Sequence, residues 1–554
     1  MFKKKLRIGI LMDSLKMNSS LSSLILSLEQ NENIDIILLH NKLTKKNISQ
    51  KVSTKISNEG FFRFCSLAFF SILTKLEDIF FRKIDKKYSI DSKIGQVKKS
   101  NFLDVLDINP IFYKKFFVKY SENDLEKIND LKLDFIFRGN GSGIFKGGIL
   151  YASKYGLISL HHGDNKWNRG GPPGFWEVYL SKRKSGFIIQ ICTEKLDDGK
   201  VIFRGETVTM PTYLKNRLNL QQISYPFIEK IFEYVLENGK LPTINNYDTS
   251  NSRLFKTPKL TVSLNYVFKI LVFYISKIIT RLILNKKQVW QIGFQENNWK
   301  NFDFQKIYKL KNPKNRFLAD PFIFSKDSLT AIFVEDFSFS ENKGSISAIL
   351  LDEKGDKEPQ KIIEEDFHLS FPFVFKYNDK LYMVPESRRD KSIRIYECVD
   401  FPYNWRFSHK IMDNIDAVDS IIFYKEPHWW LMANVGDKKS LDVSSRAYLF
   451  YSDSPLSMDW KEHKKNPVVF SSDFARNGGL ILEDDRIIRV RQKYGFNQYG
   501  KQISLSEILT LTPDEFFEKQ LKEIIPKFSK KIKGIHHLSS EKSFSVIDFV
   551  QDKS

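Results

Sequence analysis

The second half of this chain repeats one local pattern, and the repeat constrains the fold more than any other feature of the sequence. Each copy is a short strand of aromatic and aliphatic residues, a turn and a second strand, and successive copies begin roughly fifty residues apart. This spacing is typical of the blades of a β-propeller. With flanking strands near Val289–Phe294 and Ser543–Phe549, the sequence predicts a five-bladed ring. The copies are LADPFIF (318–324), SFPFVFKYNDKLYMVPES (370–387), VDSIIFYKEPHWWLMAN (418–434) and RNGGLILEDDRIIRVRQ (476–492).

Residues 1–240 have a different sequence pattern, in which short apolar strands alternate with helical stretches. Such alternation indicates a Rossmann-like α/β domain with a largely parallel sheet. Helical spacing of apolar residues is clear at Leu21–Leu28 and Leu125–Leu131. The predicted strands are Arg7–Met12, Ile34–Leu39, Phe135–Arg138, Leu157–His161 and Gly186–Cys192.

A chain of 554 residues is too long for one ordinary domain, and its sequence pattern changes near the middle from alternating strands and helices to strands alone. The stretch 241–262 is polar and marked by prolines, as is typical of a linker. We therefore predict an α/β domain over 1–240 and a five-bladed all-β propeller over 289–554. Between them lies a linker, 241–288, which contains a basic amphipathic helix at 264–285.

The helix predicted at 264–285 has two interpretations. Its polar residues recur at helical spacing, which leaves a wide apolar face with the cations on the other side. Such a helix is able to lie on an anionic membrane surface, or its apolar face is core packed between domains. The three cations inside the run argue against a transmembrane span. Segment 60–84 is also helical in pattern, but it is too short and too charged to span a bilayer.

The formal net charge of +21 suggests acidic partners such as phosphorylated sugars or an anionic membrane face. Lysine is nevertheless spread along the whole chain, so biased residue usage is the alternative explanation. No arginine-rich stripe specific to RNA is seen, and no nucleic-acid partner is expected.

Cysteine usage and the N-terminus indicate the cell compartment. Cys65, Cys192 and Cys398 are widely spaced, which argues against a disulfide framework or a zinc site, and no metal is predicted. The start MFKKKLRIGILMDS has too short an apolar run for a usual signal peptide, and it predicts a first buried strand instead. The expected location is the cytoplasm, with peripheral association with the inner membrane as an alternative.

Chemically active side chains follow the predicted strand Leu157–His161. The segment ISLHHGDNKWNRGGPPGFWEVYL (158–180) places His161 and His162 at the carboxyl end of that strand, where open α/β sheets bind ligands. Downstream, the strand Gly186–Cys192 precedes a turn with Asp197. A histidine and an acid at two neighbouring strand ends are able to share one reacting centre.

These residues resemble the formyltransferase domain that uses 10-formyltetrahydrofolate, shared by glycinamide ribonucleotide, methionyl-tRNA and nucleotide-sugar N-formyltransferases. That family has a strand ending Asn-x-His, a loop with Arg-Gly and Pro, and a Leu-Asp-x-Gly turn after a Thr-Gly-Val-like strand. The resemblance covers roughly residues 6–240. The counterparts here are Ser159-Leu160-His161, Arg169-Gly170-Gly171-Pro172, Ser185-Gly186-Phe187 and Leu196-Asp197-Asp198-Gly199.

The resemblance implies roles for these side chains. His161 is expected to stabilise the oxyanion that forms when an amine attacks the formyl carbon, and Asp197 to accept the proton of the amine. The catalytic asparagine of the family falls on Ser159, so His162 or Asn165 is a candidate for the missing donor, and loss of catalysis is the alternative. Folate contacts are expected from Arg138, Asn140, Gly141 and Asp198, and substrate contacts from Arg169 and Asp164. A plain turn at 138–148 and a loop-anchoring Arg169 are the structural alternatives.

The repeated units resemble the N-terminal domain of plant glucosamine inositolphosphorylceramide transferases, which is itself similar to five-bladed glycoside hydrolases of the family 43 type. FLADPF, HLSFPFVF, YMVPES, FPYNW and GIHHL carry this resemblance over about 290–550. In those hydrolases, carboxylates from different blades converge as base and acid. Hydrogen bonding between blades is the structural alternative for all the candidate residues. The candidates are the carboxylates Asp320, Glu386 and Asp419, with Arg476, Arg491, Gln492 and His536 lining the channel.

Together these patterns predict an enzyme that transfers a formyl group from 10-formyltetrahydrofolate to the amine of an amino sugar, free or nucleotide-linked. The enzyme is expected to act in surface-glycan biosynthesis, and its propeller is expected to bind the glycan. Two alternatives stay open. One is a non-catalytic glycan-binding scaffold with a degenerate formyltransferase domain, and the other is a propeller that is itself a glycosidase or glycosyl-transfer module.

Overall fold

The computed structural model describes residues 5–43, 60–113, 116–195, 199–243, 253–279, 288–352, 355–356, 358–436, 442–526 and 532–552. The chain forms two compact units, unit 1 at Met1–Tyr274 and unit 2 at Ile275–Ser554. The boundary between the units lies inside the linker predicted at 241–288, and the limits of the predicted domains stay a prediction.

Unit 1 contains strands and helices in the alternating order that its sequence pattern predicts. Its helices are α1 (Ser19–Gln30), α2 (Phe61–Ile84), α3 (Lys86–Asp91), α4 (Glu122–Asp130), α5 (Phe175–Tyr179), α6 (Tyr213–Ser224), α7 (Pro226–Asn238) and α8 (Leu260–Ile278), the last of which reaches into unit 2. Its strands are β1 (Leu6–Met12), β2 (Lys16–Asn18), β3 (Ile34–Asn41), β4 (Ile94–Gln96), β5 (Asp104–Ile108), β6 (Ile111–Tyr113), β7 (Phe117–Lys119), β8 (Phe135–Arg138), β9 (Ile144–Phe145), β10 (Leu157–His161), β11 (Asn168–Gly170), β12 (Lys184–Ile191), β13 (Lys200–Val208) and β14 (Arg253–Phe255).

The core of unit 1 is a seven-stranded sheet in the order β13-β12-β10-β8-β1-β3-β5. The strands from β10 to β5 run parallel, and β12 and β13 pair antiparallel at one edge. Residues Ile8–Met12 of β1 are all buried, because a central parallel strand is covered on both faces. All five strands predicted from the sequence belong to this sheet, and the α/β class of unit 1 is confirmed.

Local signals set the ends of the helices that cover the sheet. α1 follows Asn18, whose side-chain oxygen accepts a hydrogen bond from the backbone N–H of Leu21 at 2.9 Å. α7 begins with Pro226, whose fixed φ suits a first helical residue. It ends at Gly239, which adopts a left-handed conformation (φ 64°). The predicted helix 264–285 is found as α8, and residues 280–287 lie outside the described part of the chain.

Unit 2 is built from antiparallel strands. They are β15 (Gln288–Gln295), β16 (Tyr308–Lys309), β17 (Arg316–Lys326), β18 (Leu329–Ser338), β19 (Lys343–Asp352), β20 (Gly355–Asp356), β21 (Gln360–Ile363), β22 (Ser370–Tyr377), β23 (Lys380–Glu386), β24 (Ser392–Asp400), β25 (Asn404–Asp413), β26 (Ala417–Lys425), β27 (His428–Val435), β28 (Arg446–Ser452), β29 (Lys461–Glu462), β30 (Val469–Phe470), β31 (Asn477–Glu483), β32 (Arg486–Gly495), β33 (Gln498–Leu511), β34 (Phe516–Ile524), β35 (Ile532–Gly534), β36 (Leu538–Glu541) and β37 (Phe544–Asp552).

These strands form five sheets, four of which use consecutive strands: β17–β21, β22–β25, β26–β30 and β31–β34. In the remaining sheet the first strand, β15, pairs with the last, β37, so that Gln288 lies opposite Asp552 and Gln295 opposite Ser545. The predicted copy at 318–324 lies within β17, and each of the other three copies forms the first two strands of its sheet. A five-bladed propeller requires this number and order of sheets, and closure of the ring stays a prediction.

The first strand of each consecutive sheet is interrupted by a bulge at the same place. In three sheets the next residue has a left-handed backbone, namely Asp320 (φ 48°), Phe371 (φ 46°) and Asp419 (φ 50°). Non-glycine residues adopt this conformation at a cost, and bulges re-aim the side chain they carry. The fold therefore places these three side chains at equivalent positions of successive sheets. The register shifts lie at Ala319–Phe322, Ser370–Phe373, Val418–Ile421 and Asn477–Leu480.

Candidate functional site

His161 is the last residue of β10, at the carboxyl end of a strand in the parallel part of the sheet. Gly163 leaves space beside its ring, since a Cβ atom at that position would lie 2.6 Å from His161 Nε2. Ser159, two residues earlier, is buried and lies opposite Gln190 of β12. The strand end that the motif predicts is therefore formed, with a partly exposed imidazole at its tip.

His162 lies just beyond the end of β10 and packs against the end of α6. Its Nε2 lies 3.0 Å from Ser224 Oγ at the end of α6, and its ring packs edge-on against Tyr225 with 5.8 Å between centroids. Burial lowers the pKa of His162 to about 3, and the charges of His161 and Arg217 add to this effect. These contacts assign His162 to the core, and they give no support to its prediction as a replacement donor.

The neutral state of His162 makes unit 1 sensitive to acid. The pKa of this histidine falls from 6.5 to about 3 on folding, so the unfolded chain takes up a proton as the pH drops through this window while the folded chain does not. We expect stability to fall by up to ~1.4 kcal/mol per pH unit there. His162→Gln should flatten this dependence, which urea unfolding monitored by hydrogen exchange of α6 peptides measures. Equal slopes for the two proteins would contradict the assignment.

The loop after His161 is fixed by Arg204 of β13. Its guanidinium donates to the carboxylate of Asp164 and, at 2.9 Å, to the side-chain oxygen of Asn165. Asp164 also accepts from the backbone N–H of Lys166 at 3.1 Å. Asp164 was predicted to contact the substrate, and Asn165 was a candidate donor to the oxyanion. In the structure both side chains stabilise the conformation of the loop.

The predicted folate-binding residues of the 138–142 loop are also engaged with neighbouring backbone. Asn140 accepts from the N–H of Asp13 at 2.8 Å and donates to the carbonyl of Ser14 at 2.7 Å. Arg138 donates through Nε to the carbonyl of Gly141 at 2.8 Å. This favours the turn alternative for the two side chains, and it leaves backbone groups of the loop as candidate contacts.

Arg169 belongs to the short strand β11, opposite Leu254 of β14. Asp197 and Asp198 lie outside the described residues. The meeting of His161 with Asp197, on which the acyl-transfer chemistry depends, therefore stays a prediction.

Unit 1 contains a basic cavity of about 470 Å³ that the sequence reasoning missed. It does not include any of the predicted formyltransferase residues that the structure describes. Five basic side chains and two acidic ones line it, which suits an anionic ligand. No sequence signal marks it, because its walls come from segments distant along the chain. The charged residues are Lys16, Lys75, Arg82, Lys93, Arg217, Asp78 and Asp91.

In unit 2, the predicted residues Asp320 and His536 meet in a buried ion cluster. His536 lies between two carboxylates, with Nε2 3.0 Å from Asp320 Oδ1 and Nδ1 2.9 Å from Asp548 Oδ2. Although burial alone lowers it, the charges of Asp548 and Asp320 raise the pKa of His536 to about 10. The imidazole is therefore a cation at neutral pH, and it lowers the pKa of Asp320 against the opposing effect of burial.

The same three residues have donor atoms within 4.8 Å of one another, a grouping that is also able to hold a metal ion. A metal ion binds only a neutral imidazole. At this site the ion would have to displace the proton by which the His536 imidazolium pairs with the two carboxylates. The donor set therefore fits an ion triad better than a metal centre.

A second predicted group, Glu386, Asp419 and Arg476, also comes together. Arg476 binds Asp419 with both ends of its guanidinium, at 2.5 Å and 3.3 Å, and Gln492 donates to the same carboxylate at 3.1 Å. Burial and the adjacent Asp419 raise the pKa of Glu386 to about 8. Glu386 is thus a protonated carboxylic acid at neutral pH. Burial also raises the pKa of the neighbouring Asp419, and the guanidinium of Arg476 opposes this shift.

The protonated state of Glu386 predicts a stability that decreases with rising pH. The folded chain keeps a proton up to about pH 8 that the unfolded chain releases near 4.5. Between these values unit 2 should lose up to ~1.4 kcal/mol per pH unit. Glu386→Gln, which cannot ionise, should reduce this slope in denaturant unfolding, and Glu335, whose pKa is also raised, should account for a slope of the same sign that remains. A Gln variant with the wild-type slope would show that another group is responsible.

Side chains that the sequence reasoning missed complete this centre. Glu335 of β18 lies there, with its pKa raised by burial and by the carboxylates of Asp320 and Glu386. The ring of Trp290 lies 4.0 Å from that of His536, and Tyr499 lies 5.0 Å away on centroid distances. These residues belong to no motif in the sequence. They could not be predicted from it, because their contacts join sheets that are far apart along the chain.

Arg491, the remaining predicted lining residue, lies elsewhere. Its guanidinium binds Glu518 at 3.1 Å and Ser504 at 3.2 Å, within the sheet that contains β32. It belongs to a buried ion network with Arg489, which supports the structural alternative for this residue. All five sheets of unit 2 contribute to the remaining cluster, which we call the carboxylate centre: Trp290, Asp320, Glu335, Glu386, Asp419, Arg476, Gln492, Tyr494, Tyr499, His536 and Asp548.

Residues 304–546 match the family described as glucosamine inositolphosphorylceramide transferase 1, N-terminal. The match covers most of unit 2 and includes four carboxylates of its centre, Asp320, Glu335, Glu386 and Asp419, while Asp548 lies just beyond it. The resemblance predicted from the repeated motifs is confirmed over this part of the chain.

Curated relatives match the two units separately. Glucosamine inositolphosphorylceramide transferase 1 of Arabidopsis thaliana is 38% identical over 214 residues, 38% of this chain and 28% of that protein. Its counterpart in Oryza sativa subsp. japonica is 34% identical over 211 residues, 37% of this chain and 28% of that protein. Methionyl-tRNA formyltransferase of Bacillus velezensis is 34% identical over 85 residues, 15% of this chain and 27% of that protein. The chain thus spans less than a third of the length of each relative, and all of them are transferases.

Solved structures give weaker likenesses. The family 117 glycoside hydrolase Zg3597 of Zobellia galactanivorans has 11% identity and a TM-score of 0.33, covering 48% of this chain and 91% of its own. Glycinamide ribonucleotide transformylase 1 of Symbiobacterium toebii has 12% identity and a TM-score of 0.25, covering 42% of this chain and 88% of its own. At these TM-scores the likenesses carry no argument about activity.

Proposed function

We propose that this chain is a sugar-modifying transferase with two sites. Unit 1 transfers a formyl group from 10-formyltetrahydrofolate to the amine of an amino sugar, free or nucleotide-linked. Unit 2 binds the glycan through its carboxylate centre. The observation that carries the proposal is the carboxylate centre, since convergent acids, an arginine and aromatic rings are the side chains that bind sugar hydroxyls and ring faces.

The formyl-transfer part is supported by His161 at the end of β10 and by the match to methionyl-tRNA formyltransferases. The resemblance assigns the imidazole of His161, at the end of β10, as the donor to a developing oxyanion. The folate would supply the one-carbon group, held by backbone of the 138–142 loop. Asp197 is the proposed base, and Ser159 leaves the second donor position of the family unfilled.

The test of both sites is direct binding by the full chain. Calorimetric titration with a folate analogue should show one site that His161→Ala weakens only slightly, because the imidazole acts on the transferred group. Titration with amino sugars and glycan fragments should show binding that Asp419→Asn abolishes. Absence of folate binding would favour a degenerate formyltransferase domain on a glycan-binding scaffold.

A second candidate function is glycosyl chemistry in unit 2, and the protonation states favour it. Glu386 keeps a proton at neutral pH while Asp320 is ionised, and an acid and a base in one centre are what glycosidic bond cleavage or transfer requires. This function predicts that Asp320→Asn removes activity on a glycoside while His161→Ala leaves it unchanged. Loss of activity in His161→Ala but not in Asp320→Asn would assign the chemistry to unit 1.

A further inference from the structure

Helices α2 and α8 expose an unusual amount of apolar surface. Phe62 on α2 is 88% exposed, and Phe268 on α8 is 66% exposed. The exposed apolar residues of each helix recur with the helical period, so each set lies along one side. They are Phe61, Phe62, Ile72, Leu76, Ile79, Phe80 and Ile84 on α2, and Leu260, Leu264, Phe268, Leu271, Val272, Ile275 and Ile278 on α8.

The two helices are held together by polar contacts on their other sides. The backbone N–H of Leu260 donates to Ser66 Oγ at 3.3 Å, and the hydroxyl of Tyr266 donates to Glu77 at 3.1 Å. Ser263 and Tyr266 are the buried residues of α8. The buried sides of the two helices thus pack against protein, whereas their exposed apolar sides do not.

Charge on these helices is one-sided. α8 carries Lys269 and Lys277 and no acid. The acids of α2 are neutralised, because Glu77 is buried against Tyr266 with a raised pKa and Asp78 binds Arg82 at 2.8 Å. α2 also lines the basic cavity of unit 1, so the cations of that cavity lie beside its apolar stripe.

We propose that the exposed apolar sides of α2 and α8, the α2–α8 face, dock on an anionic lipid bilayer. Apolar side chains beside lysines, with no free acid on either helix, are the composition of interfacial helices. A second copy of the chain fits less well, since a two-fold contact would place the same cations against each other.

The proposal places α8 on the membrane and not across it. By length and composition α8 is apolar enough to span a bilayer, with a mean hydropathy of 1.3 and 11% of that window buried. Crossing would withdraw Tyr266 from Glu77 and from the backbone N–H of Tyr213, which donates to its hydroxyl at 2.9 Å. It would also carry Lys269 into the hydrocarbon, which is costly.

Vesicle sedimentation of the full chain tests this. We expect binding to phosphatidylcholine–phosphatidylglycerol vesicles at least about tenfold above phosphatidylcholine alone, weakening with salt. The variant Phe62→Ser/Leu76→Ser/Phe268→Ser should bind at least about tenfold less, because it removes apolar insertion. A control variant, Tyr151→Ser/Met458→Ser/Leu482→Ser, changes equally exposed side chains elsewhere and should bind like the wild type.

Four results would overturn the proposal. The first is no binding to the anionic vesicles, and the second is equal binding by the two triple variants. The third is a lipid-free dimer in light scattering that the α2–α8 variant dissociates, which would assign the face to a second copy. Resistance of the wild type to alkaline extraction from cell membranes would indicate a span instead.

Discussion

Arg476→Met is expected to destabilise unit 2 by about 3–5 kcal/mol, because it leaves the buried carboxylate of Asp419 without its counter-charge. The side chain of Asp419 is 3% exposed and lies beside Glu386, so water cannot replace the guanidinium. Denaturant unfolding, with hydrogen exchange of β26 and β31 peptides to locate the loss, measures the effect. Sugar binding should be lost at the same time, since the carboxylate centre depends on this pair.

Two further variants separate the buried charge from other effects. Adding Asp419→Asn to Arg476→Met removes the uncompensated charge and should recover part of the lost stability. Arg388→Met breaks the pair with Asp416, in which the arginine is 41% exposed, and should cost about 0–1 kcal/mol. Equal losses for Arg476→Met and Arg388→Met would show that the centre is more hydrated than its geometry indicates.

His161→Ala is expected to lower kcat/KM for formyl transfer at least about a hundredfold, because it removes a donor to the oxyanion. Consumption of 10-formyltetrahydrofolate with a panel of amino sugars and nucleotide-linked amino sugars measures this rate. The fold of unit 1 should be unchanged, since His161 is partly exposed at a strand end.

His40→Ala is the matched control for this prediction. His40 also lies near the carboxyl end of a strand in the same sheet, where it binds Asp107 at 2.9 Å, and its loss should leave formyl transfer unchanged. Unaltered activity in His161→Ala would contradict the proposed chemistry. Ser159→Asn restores the side chain of the resembled family, and we expect it to raise the rate.

Much of the architecture follows from local sequence pattern. Continuous apolar runs fixed the parallel strands of unit 1, and period-two strands with turns between them fixed the strand pairs of unit 2. Of the side chains named from the repeats, Asp320 and Asp419 occupy equivalent bulges in the first strands of their sheets, and Glu386 reaches the same centre from the end of a second strand, β23.

The two adjacent histidines show where sequence reading reaches its limit. His161 is the last residue of β10 and His162 lies just beyond it, so the alternation of side chains along a strand does not by itself fix the direction of the second ring. Their order alone does not say which face is solvent and which is core, and only the packing of His162 against Ser224 and Tyr225 decides it.

The sequence by itself determined five strands of the central sheet of unit 1, the repeated strand pairs of unit 2, the strand-end motif and the identities of most charged residues in the carboxylate centre, since these depend on spacing along the chain. Tertiary structure alone decided which charges meet. Asp548 and His536 are neighbours within one sheet, but Asp320 and Glu335 reach them only because a second sheet packs against it. It also decided that the apolar sides of α2 and α8 are uncovered, because amphipathic spacing gives a face and only packing shows what lies against it.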